Sequence, residues 1–314
     1  MDSNTSRPAP PANTGSAVLN WISDTLLRLV QFQRRFDPFI RPAFDAVLRD
    51  PLARLFTFLI NLGRPNEGLK IAEEKPLDDE EACLDSIVAT FTKQMNGLWK
   101  PGGYERGGNT KTHGIVRAEL IVHDGLAAEF RHGIFAEPHT YRAWVRFSGP
   151  GPYVTPDIDD VGFMSISIKL MGVPGPKLMD EEKFTQDFFG VSTPTFVTAN
   201  TRENAKLQKW SLKNASIFYF INPADSHLRD LIMQGLWIKT QSSPFEAPYF
   251  SCVPYLLGEG QAMQYSVWPK SNKKTRIPRL PLRPPDDYLR TAMVAALDAG
   301  DVELDFRVQL QTDP

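Results

Sequence analysis

Two alternating segments constrain this chain more than any other feature. From Ile115 to Val122, Val116, Ala118, Leu120 and Val122 form one apolar face, while His113, Arg117 and Glu119 share the other parity. In Tyr141–Ser148 the same period puts Arg142, Trp144, Arg146 and Ser148 on one face. Period-two alternation marks a strand with one side against a core. A turn-like run, Pro101-Gly-Gly-Tyr-Glu-Arg-Gly-Gly108, delivers His113 to the mouth of the first strand. A face presenting His, Arg and Ser suits a site better than a wet surface.

The rest of the chain frames these strands. Residues 1–15, rich in Pro, Ser, Asn and Ala, predict a disordered tail. Residues 16–65 predict an arm of two helices, with Leu19, Ile22, Leu26, Leu27 and Val30 at helical spacing and Pro38, Pro42 and Pro51 as punctuation. Two readings of the arm stand: packing on the core, which we favour, or peripheral membrane contact with Arg28, Arg34, Arg35, Arg49 and Arg54 at headgroups. Residues 66–314 form the core unit. In it, Asn66–Pro76 is a linker and Asp78 or Asp79 opens a helix to about Trp99. Gly125–Phe135 is a short helix or loop, Val161–Leu170 a third strand and Thr193–Thr198 a fourth. Asn200 with Glu203 resembles a capping box opening a helix to about Lys213, and Asn222-Pro223 opens another to about Ile238. Tyr249–Tyr255 and Met263–Trp268 are strands joined through Gly258-Glu-Gly260. A helix over Pro285–Leu297 with Gly300 after it and a strand over Val302–Leu310 complete the chain. Strands with inserted helices predict an α+β fold built on a β-barrel.

Composition narrows function. A net charge of −2 gives no steering toward nucleic acid. No apolar run approaches the ~20 residues of a spanning helix. The start lacks a secretory pattern. Cys83 and Cys252 are far apart and read as reduced thiols, so a cytoplasmic location is expected. Asn4-Thr-Ser6 and Asn214-Ala-Ser216 fit the glycosylation sequon as chance matches. Dinucleotide, P-loop, metalloprotease and nucleophile-elbow motifs are absent. The histidines show no metal-ligand spacing, and His123, His132, His139 and His227 (placed within a helix) read as structural.

Thr112-His113-Gly114, Val145-Arg-Phe-Ser148 and Asp187-Phe-Phe-Gly-Val-Ser-Thr-Pro-Thr-Phe196 follow the order and approximate spacing of the haem catalase superfamily. With Ala136-Glu-Pro-His139 and Lys169-Leu-Met-Gly-Val-Pro-Gly175, the chain most resembles a divergent catalase-related branch over about residues 66–314. The resemblance implies a catalase-like antiparallel β-barrel with inserted helices and haem as cofactor. It implies His113 as distal acid/base and Ser148 as the partner orienting its ring. Thr112 becomes a substrate-side hydroxyl, as in allene-oxide-synthase-like members. Arg146 becomes the propionate anchor and Phe196 a distal-pocket aromatic. A neutral imidazole suits proton transfer between the two oxygens of a peroxide. Val161-Gly-Phe163 and Lys169, in the segment covering the pocket, are given no chemical role.

Three departures shape the expected activity. Val191 stands where catalases carry a catalytic asparagine, with Ser192 beside it as a weaker donor. Thr110 replaces an arginine three residues before the histidine. No stretch matches the Arg-x-x-x-Tyr of the proximal ligand, Tyr255 and Tyr265 lying upstream of its expected place, so the chain is expected to stop short of it. The expected function is haem-dependent processing of hydrogen peroxide or, preferentially, organic and lipid hydroperoxides. The alternative is a haem-free or degenerate barrel that binds an apolar ligand or serves a structural role.

Overall fold

The computed structural model describes residues 16–63, 68–100, 103, 106–160, 162–177, 179, 182–213 and 215–313. The expected tail, Asn4, Asn214 and much of the turn at 101–105 lie outside the described residues. No helix among the described residues is long and apolar enough to cross a membrane.

The arm holds three helices where two were expected: α1 (Ala17–Arg34), α2 (Asp37–Val47) and α3 (Arg49–Leu62). Pro38 lies in the first turn of α2, where a missing N–H costs nothing, so it starts a helix. Arg41 donates to the carbonyls of Gly235, Leu236 and Ile238, and Asp37 accepts from the Thr240 N–H at 2.9 Å. Of the arginines assigned to headgroups, Arg34 is buried, Arg35 donates to Leu282 O, and Arg49 stacks on Trp237. These three side chains face the protein, as the packed-arm reading requires. Helix α4 (Glu80–Leu98) begins after Asp79, as expected, but that side chain binds Arg202 at 2.6 Å instead of capping.

Among the described residues, eight strands form one wholly antiparallel sheet: β1 (Thr112–Val122), β2 (His139–Ser148), β3 (Ser165–Met171), β4 (Thr185–Val191), β5 (Tyr249–Ser251), β6 (Tyr255–Leu256), β7 (Ala262–Pro269) and β8 (Leu304–Leu310). The order runs β1-β2-β3-β4-β5-β7-β6, with β8 also on β7. Among the described residues no ladder joins β1 to β8. The inner faces nevertheless meet in one core that takes in Val116, Ala118 and Leu120 of β1, Val145 and Phe147 of β2, Ile166 and Ile168 of β3, and Val308 and Leu310 of β8. Phe306 of β8 lies 5.1 Å from Phe188 of β4 and 5.8 Å from Phe135 before β2. The sheet therefore curls around its core as a barrel does, with its ladder open at one seam.

Several expected boundaries move. The fourth strand is β4, not Thr193–Thr198, which is irregular. Its charge obscured it: Asp187 is satisfied across the sheet by Lys169 at 3.0 Å, while Phe188 and Gly190 face inward. Between α5 (Thr201–Leu212) and α7 (Leu228–Trp237) lies a short α6 (Ile217–Ile221), which Asn222 ends; the Asn222 side chain accepts from Ala224 N in a local turn. Helix α7 thus starts at Leu228, and His227 precedes it instead of lying inside a helix. Pro254, with no N–H to give a ladder, separates β5 from β6. Gly258 and Gly260 turn the chain into β7 with positive φ, as expected. Helix α8 (Tyr288–Asp298), followed by Gly300 at φ 143, packs on β1.

Candidate functional site

The register of the sheet assembles the predicted residues. Thr112 pairs with Ser148, Ser148 with Ser165, Ser165 with Val191, and Val191 with Phe250. One cross-strand row on the outer face thus carries Thr112, Ser148 and Val191, and Arg146 sits one step away on the same face of β2. The arginine is half-buried. Its Nε and Nη2 donate to Thr112 Oγ1 at 3.1 and 2.7 Å, its Nη1 donates to Ser148 Oγ at 3.1 Å, and Nη2 also donates to Asn109 O. Asn109 reaches that position in the left-handed region, at φ 51. All these acceptors are neutral, and no described carboxylate pairs with Arg146. Burial, with the charge of Arg106, lowers its affinity for the proton.

His113 departs from the expected face. The β1–β2 ladder slips between Thr112 and Gly114, leaving His113 as the extra residue of a bulge. Arg117 and Glu119 stay exposed on the outer face, but the His113 ring is buried, with the residue 2% exposed. Gly114 beside it leaves room for Met293 of α8: a Cβ there would come within 2.9 Å of the methionine methyl. Ser148 does not hold His113: its oxygen accepts from Arg146, and no hydrogen bond joins it to the ring. The nearest acid is Asp157, 3.5 Å from Nδ1 and poorly aligned, so neither ring nitrogen has a hydrogen-bond partner among the described residues. Burial and the neighbouring Lys111 push the imidazole down to about 4, so it is neutral at pH 7.

Lys111 and Asp157 are the charged neighbours of His113 that sequence reasoning missed. The buried Lys111 ammonium contacts Asp157 at 2.8 Å, Asp287 at 2.9 Å, and the carbonyls of Thr155 and Asp286. Asp157 also accepts from Leu289 N in the first turn of α8, where the helix dipole favours an anion. Burial nevertheless raises Asp157 to about 6, against the pull of Lys111. Burial lowers Lys111, but its two acids outweigh that and hold it above its ordinary value. Lys111 lies two residues before His113, just ahead of β1, and no sign of its role was visible in the sequence. Nothing local in the sequence links Asp157 or Asp287 to it.

Other predicted residues fall elsewhere. Phe196 is 41% exposed in an irregular segment, so it is not a buried strand aromatic. Ser192 Oγ accepts from Met164 N at 2.8 Å and so ties β4 to the approach of β3. Thr110 is buried and donates to Arg106 O. The Tyr265 hydroxyl is held by Phe189, accepting from its N–H and donating to its carbonyl. Beyond the far end of the row, a 480 Å³ cavity lies between the arm, α7 and the sheet. Phe250, Trp268, Trp237 and Leu236 line it, with Arg49 and Lys239 at its polar side.

No protein-family model and no curated protein matches the chain. Among solved structures it is similar to a bacterial catalase, at 17% identity and a TM-score of 0.47, over 79% of this chain and 48% of that one. It is also similar to catalase A from Saccharomyces cerevisiae, at 15% identity and a TM-score of 0.49, over 80% of this chain and 52% of the other. The chain spans about half the length of the catalases it matches.

Proposed function

We propose that this chain is the barrel of a haem-dependent enzyme of the catalase-related type, acting on organic or lipid hydroperoxides in preference to hydrogen peroxide. The observation that carries the reading is a pair of groups at one end of the sheet, judged among the described residues. One is a buried, neutral imidazole with neither nitrogen hydrogen-bonded; the other is a guanidinium that donates only to neutral oxygens. Haem offers what these groups lack, since its propionates are acids for a fork of N–H donors and its iron-bound ligands need a proton acceptor. The donor set fits in kind: Arg146 would hold a propionate, with Thr112 and Ser148 fixing its plane, and His113 would serve the reacting face.

Haem, when bound, supplies the iron at which a peroxide O–O bond is broken. His113 takes the proton from one peroxide oxygen and returns it to the other, a task for which its neutral form is ready at pH 7. Thr112 keeps its hydroxyl proton free while its lone pairs accept from Arg146, so it can donate to a substrate oxygen. Val191, in the same row, offers no such bond, which disfavours hydrogen peroxide. The apolar cavity beyond Phe250 accommodates an alkyl chain.

One observation favours a second reading, a haem-free barrel that binds an apolar ligand. At 2% exposure the His113 ring has no open face, and a 480 Å³ cavity lies at the other end of the row. Haem titration separates the two. The first reading expects a Soret band with one iron per chain, weakened by Arg146→Gln, and faster loss of a fatty-acid hydroperoxide than of hydrogen peroxide. Protein that stays colourless after titration rules out the first reading and leaves the second.

A further inference from the structure

We propose that Glu203, Asp225 and His227 form a binding site for a zinc-class divalent cation. One ligand atom from each lies within 4.8 Å of the other two. The three come from the first turn of α5 and the loop before α7, so the fold and not sequence spacing brings them together.

The two nitrogens of His227 face different partners. Nδ1 lies 3.1 Å from the carbonyl oxygen of Tyr219, which only accepts, so Nδ1 carries the proton. That directs the Nε2 lone pair of the neutral ring at Glu203 Oε2, 2.8 Å away, with Asp225 Oδ1 at 3.9 Å. Two lone pairs at that separation repel unless a positive centre lies with them, and a proton or a metal ion supplies it. A backbone carbonyl behind Nδ1 is the arrangement that orients a metal-binding histidine.

The surroundings hold the ligands in place. The His227 ring stacks on Tyr219 at 4.1 Å and 15°. The N-cap of Asn200 on Glu203 N, at 3.0 Å, fixes the turn that carries Glu203. Lys206 binds Glu203 Oε1 at 2.9 Å and Asp225 Oδ2 at 2.8 Å. These are not the oxygens nearest His227, so Lys206 orients both carboxylates and offsets their charge; Oε2, facing Nε2, also accepts a long 3.4 Å bond from the Tyr219 hydroxyl, which an ion would displace or share. One nitrogen and two carboxylate oxygens suit zinc, with a fourth position for water. Asp225 is exposed, so the ligand set has an edge open to solvent.

The test is calorimetric titration of the chelator-treated full chain with Zn²⁺ alone, beside His227→Ala and Asp225→Asn. We expect one ion bound per chain at this site and a loss of at least about tenfold in affinity in each variant. Asp225 is exposed, so its variant should keep the wild-type circular dichroism and decides the matter if His227→Ala misfolds. Wild-type protein that takes up no zinc, or a folded Asp225→Asn that binds it as wild type does, overturns the site.

Discussion

At the scale of the residue, His113 and Asp157 set an unusual proton balance. The folded imidazole titrates at about 4, below its ordinary 6.5. As pH falls from 6.5 to 4 the unfolded chain therefore takes up a proton that the folded one refuses, and stability drops toward acid. Asp157 works the other way: at about 6 in the fold against 3.8 outside it, it keeps its proton between those values while the unfolded chain has lost it, and stability drops toward neutral. Between about pH 4 and 6 the two contributions cancel, because each state holds one proton, on Asp157 when folded and on His113 when unfolded. Asp157→Asn removes one side. Its stability should fall as pH is lowered from 6.5 to 4, by up to ~1.4 kcal/mol per unit more than wild type. Urea midpoints across that range check this, and a variant no steeper than wild type would count against the balance. For chemistry, His113→Gln fills the same space without the acid/base nitrogen pair. In haem-loaded protein it should cut hydroperoxide turnover by about 10²–10⁴ while sparing the Soret band; unchanged turnover would remove His113 from the mechanism. That Arg146 and Ser148 share one face was legible because alternation sets the face of a regular strand, whereas Thr112 came from the resemblance and joins that face only through the bulge after it. The enclosure of His113 was not legible, because one bulge reverses parity and leaves no mark in the local pattern.

At the scale of the element, helix starts were readable where a side chain meets its own backbone. Asn200 caps α5 as the spacing to Glu203 implied, and Asn200→Ala should cost about 1 kcal/mol, visible as a lower urea midpoint at unchanged slope. A midpoint within error of wild type would mean that the cap adds nothing. Asn222-Pro223 carried the same kind of signal and misled, because its side chain closes a turn after α6 instead of opening α7. Strand β4 was missed for a physical reason as well. Its charged residue is neutralised by a partner on the neighbouring strand, and only the register reveals that. The same register puts Val191 level with Ser148 and Thr112. Val191→Asn should therefore raise oxygen release from hydrogen peroxide in haem-loaded protein, read with an oxygen electrode. No gain would mean that the row does not line the reacting space.

At the scale of the whole molecule, the arm is held by the end of one helix more than by apolar packing. Trp21, Phe32, Phe39 and Phe58 remain exposed on its outer side, whereas its buried residues include Asn20, Ser23, Arg34 and Asp37. Arg41 donates to the last carbonyls of α7, groups a helix cannot satisfy itself and whose dipole attracts a cation. Asp37, 1% exposed, accepts from Thr240 N at 2.9 Å and from Gln33 at 2.8 Å, and pairs with Arg41 at 3.9 Å. Apolar periodicity exposed the helices but could not show this polar seam, since its partners lie about 200 residues apart in the chain. Asp37→Ala would strand the Thr240 N–H and leave Arg41 with Asp45 as its remaining acid, at a cost of about 1–3 kcal/mol. The loss should fall on docking, not on the sheet. Limited proteolysis should then cut within residues 16–62 well before the barrel, while the β-sheet signal in circular dichroism persists. Arg41→Met keeps the aliphatic stem but leaves the α7 carbonyls bare, and should loosen the arm in the same direction. Cleavage of arm and barrel at one common rate in both variants would show instead that the two fold and unfold as a single unit, with the seam adding nothing local.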